Sequence, residues 1–160
     1  MNPDASSMLK FAVDLEPIIK EGWPPSSTEW LWGERIADDR ARVCNVPFYA
    51  KGISFGDIVS IEQVSDGEAS WHEFAGVVAQ GGHSTYRLFV PEGIGHAAFE
   101  RHWALLKAIG CSYESFGEKF LAVDVPPEAD VQTAYIAFED GERAAVWEFE
   151  EGNYESKATV

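Results

Sequence analysis

The stretch Gly81-Gly82-His83-Ser84-Thr85-Tyr86-Arg87 holds the residue types for proton transfer and nucleophilic attack. A loop imidazole beside hydroxyls can serve as general base to a nucleophile. Neighbours on an extended strand point to opposite faces, so His83 and Ser84 are poorly set to bond each other. The bland role for His83, Thr85 and Tyr86 is to tie two halves of the chain together. His83, Tyr86 and Arg87 would also give such a junction the polar lining of a small pocket. Cys111 is the other candidate nucleophile for a hydrolase.

A second group is acidic. From Phe120 to Val160 the chain carries ten carboxylates (Asp124, Glu128, Asp130, Glu139, Asp140, Glu142, Glu148, Glu150, Glu151, Glu155) against Arg143 and Lys157. Their simplest role is a solvated face, and on an edge strand charge also discourages chain-to-chain pairing. Their functional role would be docking: such a surface repels phosphate backbones and attracts basic proteins. Trp147, Phe149 and Tyr154 interleave with Glu148, Glu150, Glu151 and Glu155, and aromatic anchors rimmed by charge are typical of tight interfaces. Trp147 and Phe149 also suit an ordinary core, which leaves Tyr154 as the better contact. The expected partner-binding set is Glu139, Asp140, Glu142, Glu148, Glu150, Glu151, Tyr154 and Glu155.

Other chemistry finds little support. His96 and Glu100 would share a helix face and form the best metal-like pair, but two ligands do not make a site. There is no EF-hand pattern and no HExxH, GxSxG, Walker-A or dinucleotide motif. No catalytic residue, cofactor or metal is expected. Cys44 and Cys111 sit in apolar surroundings and read as buried free thiols of a reducing cytoplasm.

The 160 residues that must position these groups carry 27 acidic and 12 basic side chains, a net charge of −15. With 46% hydrophobic residues, six Trp and ten Phe, a substantial core is available. The apolar runs are far shorter than the roughly 20 residues that span a bilayer. The start, Met1-Asn2-Pro3-Asp4, lacks the basic and apolar regions of a secretory signal, which points to the cytoplasm. Acidity alone also keeps a cytosolic protein soluble.

Along the chain, alternating Phe11-Val13-Leu15 predicts a strand ending before Pro17. Gly22 to Ser27 is a rigid connection. Strands are predicted over residues 28–36, 41–46, 58–64 and 70–78, with Gly and Asp turns between them. Close spacing of this kind describes a small, strongly bent barrel or sheet. After Gly82 the pattern changes. A strand over 85–90 precedes a helix over 96–109 with Phe99, Trp103 and Leu106 on its apolar stripe, ended by Gly110. Strands over 111–116 and 119–125 follow. Val131, Ala134, Tyr135 and Phe138 mark the apolar face of a second helix, ended by Gly141. A last strand over 144–150 turns Ala145, Trp147 and Phe149 inward.

Strand, helix, strand, strand, helix, strand is the ferredoxin-like order. The predicted class is therefore α+β: a β-rich barrel-like part over 9–80 and a ferredoxin-like part over 84–152, with flexible ends at 1–8 and 153–160.

Three ordered segments carry a family resemblance. They are Asn45-Val46-Pro47-Phe48-Tyr49-Ala50-Lys51-Gly52-Ile53-Ser54-Phe55-Gly56-Asp57, Gly82-His83-Ser84-Thr85-Tyr86-Arg87-Leu88-Phe89 and Ala122-Val123-Asp124-Val125-Pro126-Pro127. Over roughly residues 10–152 the chain resembles the bacterial domain-of-unknown-function family 4265, which implies no catalytic residues. In size and charge it also resembles the immunity proteins encoded beside polymorphic toxins.

The resulting expectation is a non-enzymatic cytoplasmic immunity protein. It would neutralise a cognate toxin domain, of nuclease or ADP-ribosyltransferase type, by covering its basic active-site cleft in a 1:1 heterodimer. Nucleic acid and membrane are not expected partners. A small-molecule-binding regulatory module is the alternative.

Overall fold

A computed structural model describes residues 7–15 and 27–153. Tyr154, Glu155, Pro17 and the connection over 22–26 lie outside the described residues. The chain divides into two compact units, Met1–Gly81 and Gly82–Val160. Both are built mostly of antiparallel strand pairs, and the second adds two helices, so the class is α+β.

The first unit contains β1 (Met8–Asp14), β2 (Thr28–Ala37), β3 (Arg40–Val43), β4 (Ile58–Ser65) and β5 (Ser70–Ala79). Each strand pairs antiparallel with the next. β5 returns to β1 in parallel register at Phe11–His72 and Ala12–Glu73, which closes the circuit. Period-two burial places Phe11, Val13, Leu31, Ala41, Val43, Val59 and Ile61 in one core, joined by Ala50 and Ile53 from the loop before β4. On β2 the inward face is Glu29, Leu31 and Gly33, so Trp30 and Trp32 turn outward. Lys10, opposite Trp32 on β1, lies over the Trp32 ring at 4.9 Å.

The second unit runs β6 (Ser84–Phe89), α1 (His96–Ala108), β7 (Ser112–Phe116), β8 (Phe120–Val125), α2 (Val131–Arg143) and β9 (Glu148–Asn153). The sheet order is β7-β8-β6-β9, with every pair antiparallel. Tyr86, Leu88, Leu121, Val123 and Val125 form the face on which both helices pack, through Trp103, Leu106, Ala134, Ala137 and Phe138. The central strands β6 and β8 are buried on both faces; β7 and β9 are the edges.

α2 and the segment after it depart from expectation. The helix does not stop at Gly141; it continues to Arg143, with Gly141 on its buried face. A side-chain carbon at Gly141 would overlap the Trp147 indole, so glycine is needed there for close approach and does not terminate the helix. Tyr135 is half-exposed, and its expected place on the apolar face belongs to Ala137.

Residues 144–147 are not strand. Ala145 N–H bonds to Glu142 O at 3.0 Å and Val146 N–H to Gly141 O at 2.9 Å, with Ala145 at φ 60°. This is a Schellman turn with alanine in the left-handed position. Ala145 is consequently exposed, and Val146 and Trp147 are buried side by side. Trp147 Nε1–H donates to Phe138 O at 2.9 Å, which locks the turn onto the helix.

Candidate functional site

The expected acidic set divides according to the geometry of α2 and β9. Asp130 caps α2: its carboxylate accepts from Gln132 N–H at 3.2 Å and Thr133 Oγ1–H at 2.8 Å. From that start Tyr135, Glu139 and Glu142 fall on one stripe at i, i+4 and i+7. β9 brings Phe149 and Glu151 beside it. Phe149 meets Tyr135 edge-on at 5.6 Å and stacks on Phe138 at 5.6 Å. Phe149 N–H donates to Glu142 Oε2 at 3.1 Å, and Tyr86 O–H donates to Glu151 Oε1 at 3.4 Å.

Glu139, then Glu151 and Glu142, hold the Tyr135 phenol above its ordinary range through like-charge repulsion, with Glu139 the largest contributor. The structure thus gathers Glu139, Glu142 and Glu151 around a half-exposed ring. Ile136, next to it, is 56% exposed.

The remaining carboxylates have other surroundings. Asp140 faces Arg143 at 3.1 Å on the helix surface. Glu150 lies across β9 from Glu151, 3.6 Å from the buried guanidinium of Arg87. Gly152 makes room for that guanidinium: a carbon added there would stand 2.8 Å from its Nη1. Glu148 is exposed and, with Glu142, Ala145 and Trp147, lines a depression of about 440 Å³.

His83 Nδ1 meets the Asp124 carboxylate at 2.8 and 3.0 Å. Burial is the main influence on Asp124 and raises its pKa; His83 opposes that, and Glu128 and Glu114 reinforce it. Tyr86 faces the helices and Arg87 the opposite side of β6, in register with Ala122 and Glu150. The three residues of the expected junction pocket therefore do not share one sheet face.

Burial and the nearby Asp124 charge push the Cys111 thiol up to about 12, so it stays protonated at neutral pH. Cys44 is only half-buried, contrary to expectation, and donates its S–H to Arg42 O at 3.3 Å. It follows the end of β3 at Val43, short of the strand expected over 41–46, and Trp32 O accepts its backbone N–H at 2.9 Å. His96 Nε2 and Glu100 Oε1 are 3.8 Å apart. Among the described residues no three His, Cys, Asp or Glu gather as metal ligands.

Sequence reasoning missed two buried carboxylates. Glu29 accepts from the backbone N–H groups of Phe48 at 2.7 Å, Tyr49 at 3.0 Å and Ala50 at 2.8 Å. Asp57 is fully buried and accepts from Ser54 N–H and Gly81 N–H, both at 2.9 Å. Asn45 Oδ1 accepts from Trp32 N–H at 2.8 Å. The segment 45–57 is thereby pinned by side-chain oxygens. The available signal was period-two placement, which puts Glu29 on the face of Leu31.

The sequence matches the family described as Domain of unknown function (DUF4265) over residues 29–149. No curated protein matches the chain. It is similar in fold to a solved structure titled as a hypothetical protein from Neisseria gonorrhoeae, with TM-score 0.72 and 19% identity. That likeness covers 91% of this chain and 94% of the other.

Proposed function

We propose that this chain, which belongs to the DUF4265 family, is a non-enzymatic protein-binding module acting in the cytoplasm as an immunity protein for a cognate toxin domain. The observation that carries this reading is the convergence of Glu139 and Glu142 from α2 with Glu151 from β9 on the half-exposed Tyr135. An aromatic and aliphatic anchor, Tyr135 with Ile136, rimmed by carboxylates suits a basic cleft of the kind that binds substrate phosphates.

In this proposal the first unit is a small barrel and the second a ferredoxin-like arrangement, with the acidic face on the β9 edge. The protonated Cys111 favours binding over thiol chemistry. Tyr86 and Arg87 turn to opposite faces, which favours docking over a regulatory pocket built from His83, Tyr86 and Arg87.

The test is co-purification with the product of the adjacent gene, followed by surface plasmon resonance. Reversing Glu139, Glu148 and Glu151 to Lys should slow association about tenfold and flatten its salt dependence. Glu150 is left out because a lysine there would face the buried Arg87. An unchanged association rate would remove this face from the interface.

A further inference from the structure

Two depressions meet along the other edge of the sheet, between α1 and β7. The larger, about 530 Å³, includes Phe99, Glu100, Tyr113, Ser115 and Glu118 in its lining. The smaller, about 290 Å³, includes Glu100, Trp103, Lys107, Cys111 and Tyr113. Glu100 and Tyr113 belong to both. They form one groove, divided by the Tyr113 ring, which stands edge-on to Trp103 at 4.7 Å and to Phe99 at 6.0 Å.

The α1 wall from His96 to Lys107 is about 17 Å long at 1.5 Å per residue. The five residues of β7 have about the same reach at 3.3 Å each. All five are exposed, and β7 pairs with β8 alone among the described strands. An edge strand beside a groove is the arrangement that accepts an added strand: main-chain bonds hold it, and pockets take alternate side chains.

We propose that this groove binds an extended basic segment of a partner protein as a fifth strand on β7. A Lys or Arg stem lies against Phe99 and Tyr113, and its charge meets Glu100 and Glu118 in the larger depression. The residue two positions along, about 7 Å away, is apolar and enters the smaller depression against Trp103 and Cys111.

Charge selects this occupant over a second copy of the chain. Lys119, the cation nearest the turn, is already held by Glu92 at 2.9 Å. Two β7 strands paired antiparallel about their midpoint would set Glu114 opposite Glu114, between molecules each carrying −15. This groove lies on the edge opposite β9, so the proposal stands or falls apart from the acidic α2–β9 face.

The test is selection of phage-displayed seven-residue peptides on the full chain. The expected consensus has Lys or Arg at one position and an apolar residue two positions later. A synthetic winner should shift and protect the amides of residues 112–116 by NMR. Its affinity should fall about tenfold or more on Glu100→Lys, at a half-buried site, with Glu118→Lys, at an exposed one, and on N-methylation of alternate peptide bonds. The proposal is overturned by an acidic or absent consensus, by affinity indifferent to the double reversal, by shifts confined to α2 and β9, or by a β7-mediated dimer of the chain in sedimentation.

Discussion

The two units use carboxylates in opposite ways. In the first, Glu29 and Asp57 turn inward and accept five backbone N–H groups, among them those of Phe48, Tyr49, Ala50 and Ser54 within the 45–57 segment. In the second, Glu139, Glu142 and Glu151 gather outward around Tyr135. The difference separates carboxylates that hold the backbone in this chain from carboxylates that face solvent. The 45–57 segment is held by backbone bonds to carboxylate and amide oxygens: Glu29 takes three of its N–H groups, Asp57 takes that of Ser54, and Asn45 takes that of Trp32. The second unit keeps its clustered carboxylates at the surface.

The sharpest way to break this contrast is Glu29→Ala. Three N–H groups would lose their acceptor, at about 1–3 kcal/mol for each that stays buried and unsatisfied. A loss of about 3 kcal/mol or more is expected in urea unfolding. Glu139→Gln, on the outward face, should stay within about 0.5 kcal/mol of the parent. Comparable losses for the two would mean that the inward carboxylate has no special structural role.

Asp124 lies between these extremes, buried yet hydrogen-bonded to the His83 ring. Desolvation raises its folded pKa despite His83, so the folded protein binds that proton more tightly than the unfolded chain does. The resulting stabilisation is full below the usual carboxylate range and is lost as pH rises through the raised folded value. Asp124→Asn removes that titration. Thermal melts from acid to neutral pH should therefore show the parent losing ground steadily against the variant. Parallel pH profiles would contradict the burial effect.

Much of this architecture was legible in the sequence. The strands of the first unit announced themselves by alternation between Gly and Asp turns. α1 did so by the Phe99, Trp103, Leu106 stripe, which ends at Gly110 with φ 102° as expected. The site was legible only as composition. That carboxylates crowd the last quarter was plain, but which of them converge depends on the β6–β9 register and on where α2 stops. The α1–β7 groove was invisible for the same reason. Phe99 and Trp103 read as core, and Glu118 is distant in sequence from Glu100. Ala145, Trp147 and Phe149 imitate a strand because alternation looks the same whether or not a turn interrupts it.

The smallest effect is expected at the turn that joins the acidic stripe of α2 to β9. A left-handed backbone costs an L-residue about 1–2 kcal/mol, and Ala145 adopts one at φ 60° where glycine is the usual occupant. Ala145→Gly relieves that cost but frees the unfolded chain, which returns about 0.4–1 kcal/mol. A net gain of about 0.5–1 kcal/mol remains, or roughly 1–4 °C in Tm at this size. Ala144→Gly, one residue earlier at φ −82°, relieves nothing and should lose stability. The pair separates turn strain from general glycine effects. If both variants lose stability, the left-handed turn is not strained. The offset that brings Glu142 to the Phe149 N–H would then have to arise from Trp147 packing alone, through its bond to Phe138 and its contact with Gly141.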